Sequence, residues 1–131
     1  MTDTHIETAI QQVDAALASK RLPVVRTFFD EATFTATHVV HDPETMRAAV
    51  IDSVLDFDQP SGRTSHASAD TVIDYVRAEG LTVDWLLETH AHADHLSDAP
   101  YIQKVLGGTL VIGSEIRTVQ GVFAKIFNEP A

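Results

Sequence analysis

The chain has 131 residues, 44% of them hydrophobic, and sets 19 Asp and Glu against 9 Lys and Arg, a formal net charge of −10 with no Cys at all. Such acidity argues against a nucleic-acid partner, because binding to a phosphate backbone draws its affinity from Lys and Arg. The missing Cys excludes disulfides, thiolate metal sites and Cys nucleophiles, so any metal falls to the 7 His and the carboxylates. No apolar run approaches the roughly 20 residues that span a bilayer, and the opening MTDTHIETAI lacks a basic segment followed by an apolar core. No membrane partner is expected, and the expected compartment is the cytoplasm.

Taken in order, Ile6, Ile10, Val13 and Leu17 recur at helical spacing, which predicts a leading helix within residues 1–22, closed by Pro23. From Val24 to Asp56 the runs VVRTFF, FTATHVV and AAVIDSVL, separated by DEA and HDPET, predict three strands joined by hairpin turns. The Pro, Gly, Ser and Asp of Asp58–Arg63 predict a loop leaving the third strand. Ala69, Val72, Ile73 and Val76 predict a helix from Ala67 to Glu79, with a Ser ahead as cap and Gly80 behind. Val83–Thr89 reads as a largely buried strand ending at His90. Ser97 is the expected cap of a helix with Pro100 in its first turn and Ile102, Val105 and Leu106 on its buried face, stopped by Gly107-Gly108. A short strand over Thr109–Ile112 and a helix opened by Ser114, with Ile116, Val119, Phe123, Ile126 and Phe127 on one stripe, complete an α/β pattern with no repeat or internal boundary.

One segment carries chemistry. Thr89-His90-Ala91-His92-Ala93-Asp94-His95 places four potential ligands in six residues at the end of a predicted strand. Alternation along an extended chain points His90 and His92 to one side, while the turn that follows lets Asp94 and His95 face a position a few Å away. The pattern suits one metal site or two adjacent ones. Imidazole and carboxylate suit Zn(II), which makes bound water a nucleophile near neutral pH, and equally Fe(II), which leaves positions for dioxygen and substrate; spacing alone does not choose between them. There is no G-x-S-x-G elbow, P-loop or G-x-G-x-x-G fingerprint.

THAHADH, introduced by DWLLET and followed by LSDAPYIQKVLGG, resembles the metallo-β-lactamase-fold superfamily. The phrases VIDSVLDFD, SGR and ASAD resemble its persulfide dioxygenase branch and the related β-lactamase-hydrolase-like proteins. The resemblance implies the amino-terminal half of an αββα sandwich, a mixed sheet with covering helices. It implies His90 and His92 at a first metal position and Asp94 and His95 at a second, with Asp94 doubling as the candidate catalytic carboxylate. In the persulfide dioxygenases the residue matching His90, with a later His and a later Asp, holds Fe(II), and glutathione persulfide is oxidised with dioxygen to sulfite. A zinc hydrolase of thioesterase or glyoxalase II type is the alternative. The implied ligand is thus a thiol, persulfide or thioester small molecule. No His follows His95, and the acidic residues after it are Asp98, Glu115 and Glu129, none in a ligand context. Alone, the chain is therefore expected to be inactive. A half-sandwich also leaves an apolar face uncovered, which predicts a homo-oligomer or a non-catalytic association module.

The remaining polar residues carry plainer expectations. His38 and His41 are expected on opposite faces in exposed or capping roles, His66 to cap a helix or meet solvent, and His5 to be terminal and mobile. Asp52 and Asp56 sit near the motif, where support of the His cluster competes with ordinary turn roles. Arg63 is a weak candidate for holding an anionic substrate.

Overall fold

The structure is a computed structural model, and it describes residues 3–19 and 22–128. The leading helix α1 (Asp3–Ala18) forms where the periodicity places it, but Ile6, Ile10, Val13 and Leu17 are all exposed, so its apolar stripe is not part of the core. The side chain of His5 lies outside the described residues.

Strands β1 (Val24–Asp30), β2 (Thr35–His41) and β3 (Arg47–Ile51) form an antiparallel meander. The third predicted strand ends earlier than its β-branched run suggests. Asp52 takes φ +54°, the left-handed region, which breaks the ladder, and the chain restarts as β4 (Val54–Asp58) in a separate sheet. The predicted loop after it is a hairpin: β4 pairs antiparallel with β5 (Arg63–Ser65) across a turn at Gly62.

Helix α2 (Ala67–Ala78) buries Ala69, Val72, Ile73 and Val76, the predicted face. His66, not a Ser, occupies its cap position without a side-chain cap bond of its own, and the Asp56 carboxylate instead accepts the Ser68 N–H and hydroxyl in the first turn. Gly80 at φ +66° ends the helix while Leu81 N–H returns to the Val76 carbonyl. β6 (Thr82–Glu88) then runs parallel to β3, with an irregularity at Asp84, whose carboxylate pairs with Arg47.

Beyond the His motif, β7 (Leu96–Ser97) pairs with β4, and α3 (Ala99–Leu106) starts with Asp98 as its cap residue. Ser97 still accepts the Ala99 N–H at 3.1 Å. Gly108, at φ +94°, lies against β6; a Cβ there would meet the Val83 carbonyl oxygen at 3.2 Å. β8 (Thr109–Ile112) runs parallel to β6, and α4 (Ile116–Phe127) follows, with Glu115 rather than Ser114 at its cap position.

The result is a mixed five-stranded sheet in the order β1-β2-β3-β6-β8 beside a small sheet β5-β4-β7. One face of the large sheet, through Val39, Val50 and Leu86, packs on Val72 and Val76 of α2 and Ile102 of α3. On the other, alternate residues Val25, Phe29 and Trp85 are about half exposed, as are Phe123 and Phe127 on α4. No described helix is long and apolar enough to cross a membrane. Parallel β3 and β6 end side by side, and the candidate site is built at those ends.

Candidate metal centre

The His motif begins where β6 stops, and its first residue is anchored before any ligand appears. Thr89 donates its N–H to Asp52 Oδ1 at 2.8 Å and its hydroxyl to Asp52 Oδ2 at 2.7 Å. The left-handed turn at Asp52 is what brings that carboxylate across to the neighbouring strand end. His92 Nε2 then meets Asp52 Oδ1 at 2.9 Å and Glu88 Oε2 at 3.1 Å. Two carboxylates on one ring nitrogen require it to carry the proton, so the nitrogen left to act as an acceptor is Nδ1. Glu88 is itself held by the Ser97 hydroxyl.

The three motif imidazoles lie in succession along the turn, tilted against one another. Ring centroids are 4.2 Å apart for His90 and His92 and again 4.2 Å for His92 and His95. His95 Nδ1 donates to the Leu96 carbonyl at 3.0 Å, which leaves Nε2 as the lone-pair nitrogen. That Nε2 is buried and has no hydrogen-bond partner. Asp94 accepts the Thr35 hydroxyl at 3.1 Å from across the β1–β2 hairpin. Its own backbone N–H and Thr35, helped by His95 and His92, hold the Asp94 carboxyl below the usual carboxylate range. For Asp52, burial pushes upward, but the hydrogen bonds from Thr89 and His92 together outweigh it and the net shift is downward.

Two groups of ligand atoms result, Asp52 with His90 and His92, and His92 with Asp94 and His95, each with all atoms within 4.8 Å of one another. The arrangement differs from a split into His90–His92 and Asp94–His95, because His92 belongs to both groups and Asp52 joins the first. A buried imidazole nitrogen with an unused lone pair beside an ionised carboxylate is the donor chemistry that fits a borderline divalent cation.

The other expected residues fall elsewhere. Asp56 is not at the cluster but on the Ser68 end of α2. His38 bonds Thr27 at 2.9 Å, and His41 is buried rather than exposed, with Nδ1 unpartnered, because it faces the covered side of β2. His66 stays half exposed but is fixed on the buried Asp98 at 2.8 Å and stacked on Tyr101 at 3.9 Å. Burial pushes the Asp98 carboxyl upward, and Asp56 and Asp70 add to that, against the lowering effect of His66. Arg63 lines a separate cavity together with Asp30, Asp56 and Asp58. Glu115 caps α4, far along the chain from the motif, and Glu129 lies outside the described residues. Glu88 is the contributor missed in the sequence; ending a buried strand four residues before His92 was its only signal.

Residues 32–130 match the family profile described as Metallo-beta-lactamase superfamily. A probable metallo-hydrolase of Burkholderia pseudomallei (strain 1710b) is 53% identical over 104 residues, covering 79% of this chain and 35% of that protein. The mitochondrial persulfide dioxygenase ETHE1 of Mus musculus is 25% identical over 120 residues, 92% of this chain and 43% of that one. The crystal structure of ETHE1 from Myxococcus xanthus superimposes with a TM-score of 0.55 and 26% identity, over 66% of this chain and 34% of that chain. The chain thus spans well under half the length of each of these relatives.

Proposed function

The chain belongs to the metallo-beta-lactamase superfamily, and on that premise we propose that His90, His92, Asp94 and His95 hold Fe(II) or Zn(II) in a protein of sulfur metabolism related to the persulfide dioxygenases. The observation that carries the metal reading is the unpartnered, buried Nε2 of His95, a residue that with His92 and Asp94 offers potential ligand atoms within 4.8 Å of one another. When bound, such an ion supplies Lewis acidity and, for Fe(II), a place for dioxygen. The chain's own residues do the positioning: Asp52 and Glu88 fix the proton on His92 Nε2, the Leu96 carbonyl fixes that on His95 Nδ1, and Thr35 keeps Asp94 an acceptor. Asp94, held ionised, is the group proposed to take part in proton handling at the site. With no His after His95, the chain alone is proposed to bind metal without family-like turnover.

Two observations support sulfur oxidation: the VIDSVLDFD and ASAD phrases around the motif and the likeness to the mouse persulfide dioxygenase. Hydrolysis of a thioester is the second reading, favoured by the metallo-hydrolase relative. Metal analysis of the whole protein combined with oxygen uptake on an alkyl persulfide separates them. Iron with oxygen consumption supports the dioxygenase; zinc with none overturns it. Action in the cytoplasm, on a small molecule, belongs to the same proposal.

A further inference from the structure

Next to the ligand group lies a cavity of about 500 Å³ whose far wall is not polar. Leu55 of β4 and Leu96 of β7 are direct cross-strand partners, and Phe57 is two residues along β4 from Leu55. Antiparallel partners and alternate residues share a face, so all three side chains stand on one side of the small sheet. They line the same cavity as His92, Asp94 and His95. Phe57 is 51% exposed and Leu96 56%, an apolar surface left open directly beside a polar cluster.

The charge pattern is as telling as the shape. No Lys or Arg lines this cavity among the described residues; besides the candidate ligands, Thr33 and Gln59 are the side chains able to hydrogen-bond a guest. The cavity behind Phe57 does contain Arg63, but Asp30, Asp56 and Asp58 line it as well, so it offers no net positive anchor for an anionic tail. Glutathione carries two carboxylates, and nothing on this half of the site is built to meet them.

The geometry points to Leu55, Phe57 and Leu96 as a specificity wall that receives the apolar, uncharged substituent of a thiol, persulfide or thioester whose sulfur faces His92, Asp94 and His95. Thr33 and Gln59 are placed to bond a neutral carbonyl on that substituent. This assignment rests on the metal-centre reading for the position of the sulfur, and on the cavity alone for the position of the substituent.

The two are tested apart by using benzyl mercaptan and glutathione as probes on the full chain. On the metal-free chain, amide NMR shifts on adding benzyl mercaptan are expected at residues 55, 57 and 96; Phe57→Ala weakens that binding about tenfold, as loss of a partly buried aromatic contact should. Glutathione is expected to bind at least about tenfold more weakly. Leu96→Ala gives the same direction if Phe57→Ala does not fold. On the Co(II)-loaded chain, benzyl mercaptan is expected to produce a thiolate-to-cobalt absorption band. Wall shifts sensitive to Phe57 without cobalt uptake overturn the metal reading and retain the wall. Equal affinity for glutathione, insensitivity to both variants, or shifts confined to Trp85 and Val111 on the open face of the large sheet overturn the wall.

Discussion

Replacing Asp52 probes the junction on which the site hangs. Its carboxylate accepts two hydrogen bonds from Thr89, at 2.8 and 2.7 Å, and one from His92 at 2.9 Å, and its backbone sits at φ +54°. A hydrogen bond to a charged group contributes about 1.5–3 kcal/mol. Glu88 keeps its hold on His92, and the carboxylate is still partly wet, so counting only the two Thr89 bonds at the low end gives about 3 kcal/mol. An Ala in the left-handed region adds about 1 kcal/mol. Asp52→Ala is therefore expected to cost about 4 kcal/mol, a large part of the 5–15 kcal/mol typical of a domain. Asp52→Gly removes the same bonds without the backbone penalty and should cost about 3 kcal/mol, while Asp52→Asn, which tolerates the left-handed turn and keeps one acceptor, should cost about 2 kcal/mol. Urea unfolding at pH 7 followed by far-UV circular dichroism gives the three values. A cost for Asp52→Ala within about 0.5 kcal/mol of zero, or a Gly variant less stable than the Ala variant, would refute the reasoning.

Other outcomes follow from the same structure. Because the Asp52 carboxyl lies below its ordinary 3.8, its contribution is complete above that pH and is lost as the pH falls below it; the acid-side slope of stability should shrink in Asp52→Asn. Asp98 has the opposite sign: raised above 3.8 by burial, its ionised form costs stability at neutral pH, so Asp98→Asn should be neutral or stabilising at pH 7, and a large loss there in a denaturant titration contradicts the burial argument. Ile102 is fully buried between α3 and the sheet, and Ile102→Ala should cost about 3 kcal/mol by the same unfolding assay. The open face carrying Phe29 and Trp85 should drive self-association, seen as a dimer or larger species in sedimentation velocity; a strict monomer would count against it.

Hydrophobic period made most elements legible. The alternation in TATHVVH and the three-four spacing of Ala69, Val72, Ile73 and Val76 each reflect one face turned to a common core. What stayed hidden has a local cause. Nothing in AAVIDSVL marks the break at Asp52, because its left-handed turn is stabilised by Thr89, 37 residues away in sequence. β5 and β7 span three and two residues, too short for a period to show. Composition and spacing single out the His motif as a candidate ligand set, but sharing of His92 between two groups, and the clamp by Asp52 and Glu88, depend on strand ends that meet only in the fold. Polarity points His41 to solvent, whereas alternation with Val39 and Thr37 turns it inward.

The central claim is that this turn binds a metal ion. Equilibrium dialysis of the full chain against Zn(II), and anaerobically against Fe(II), should give at least one tightly held ion per chain, with His95→Ala and Asp94→Ala each lowering the affinity about tenfold or more and a removable rise in thermal midpoint on loading. No stoichiometric uptake of either ion, or uptake unchanged by both substitutions, would contradict it.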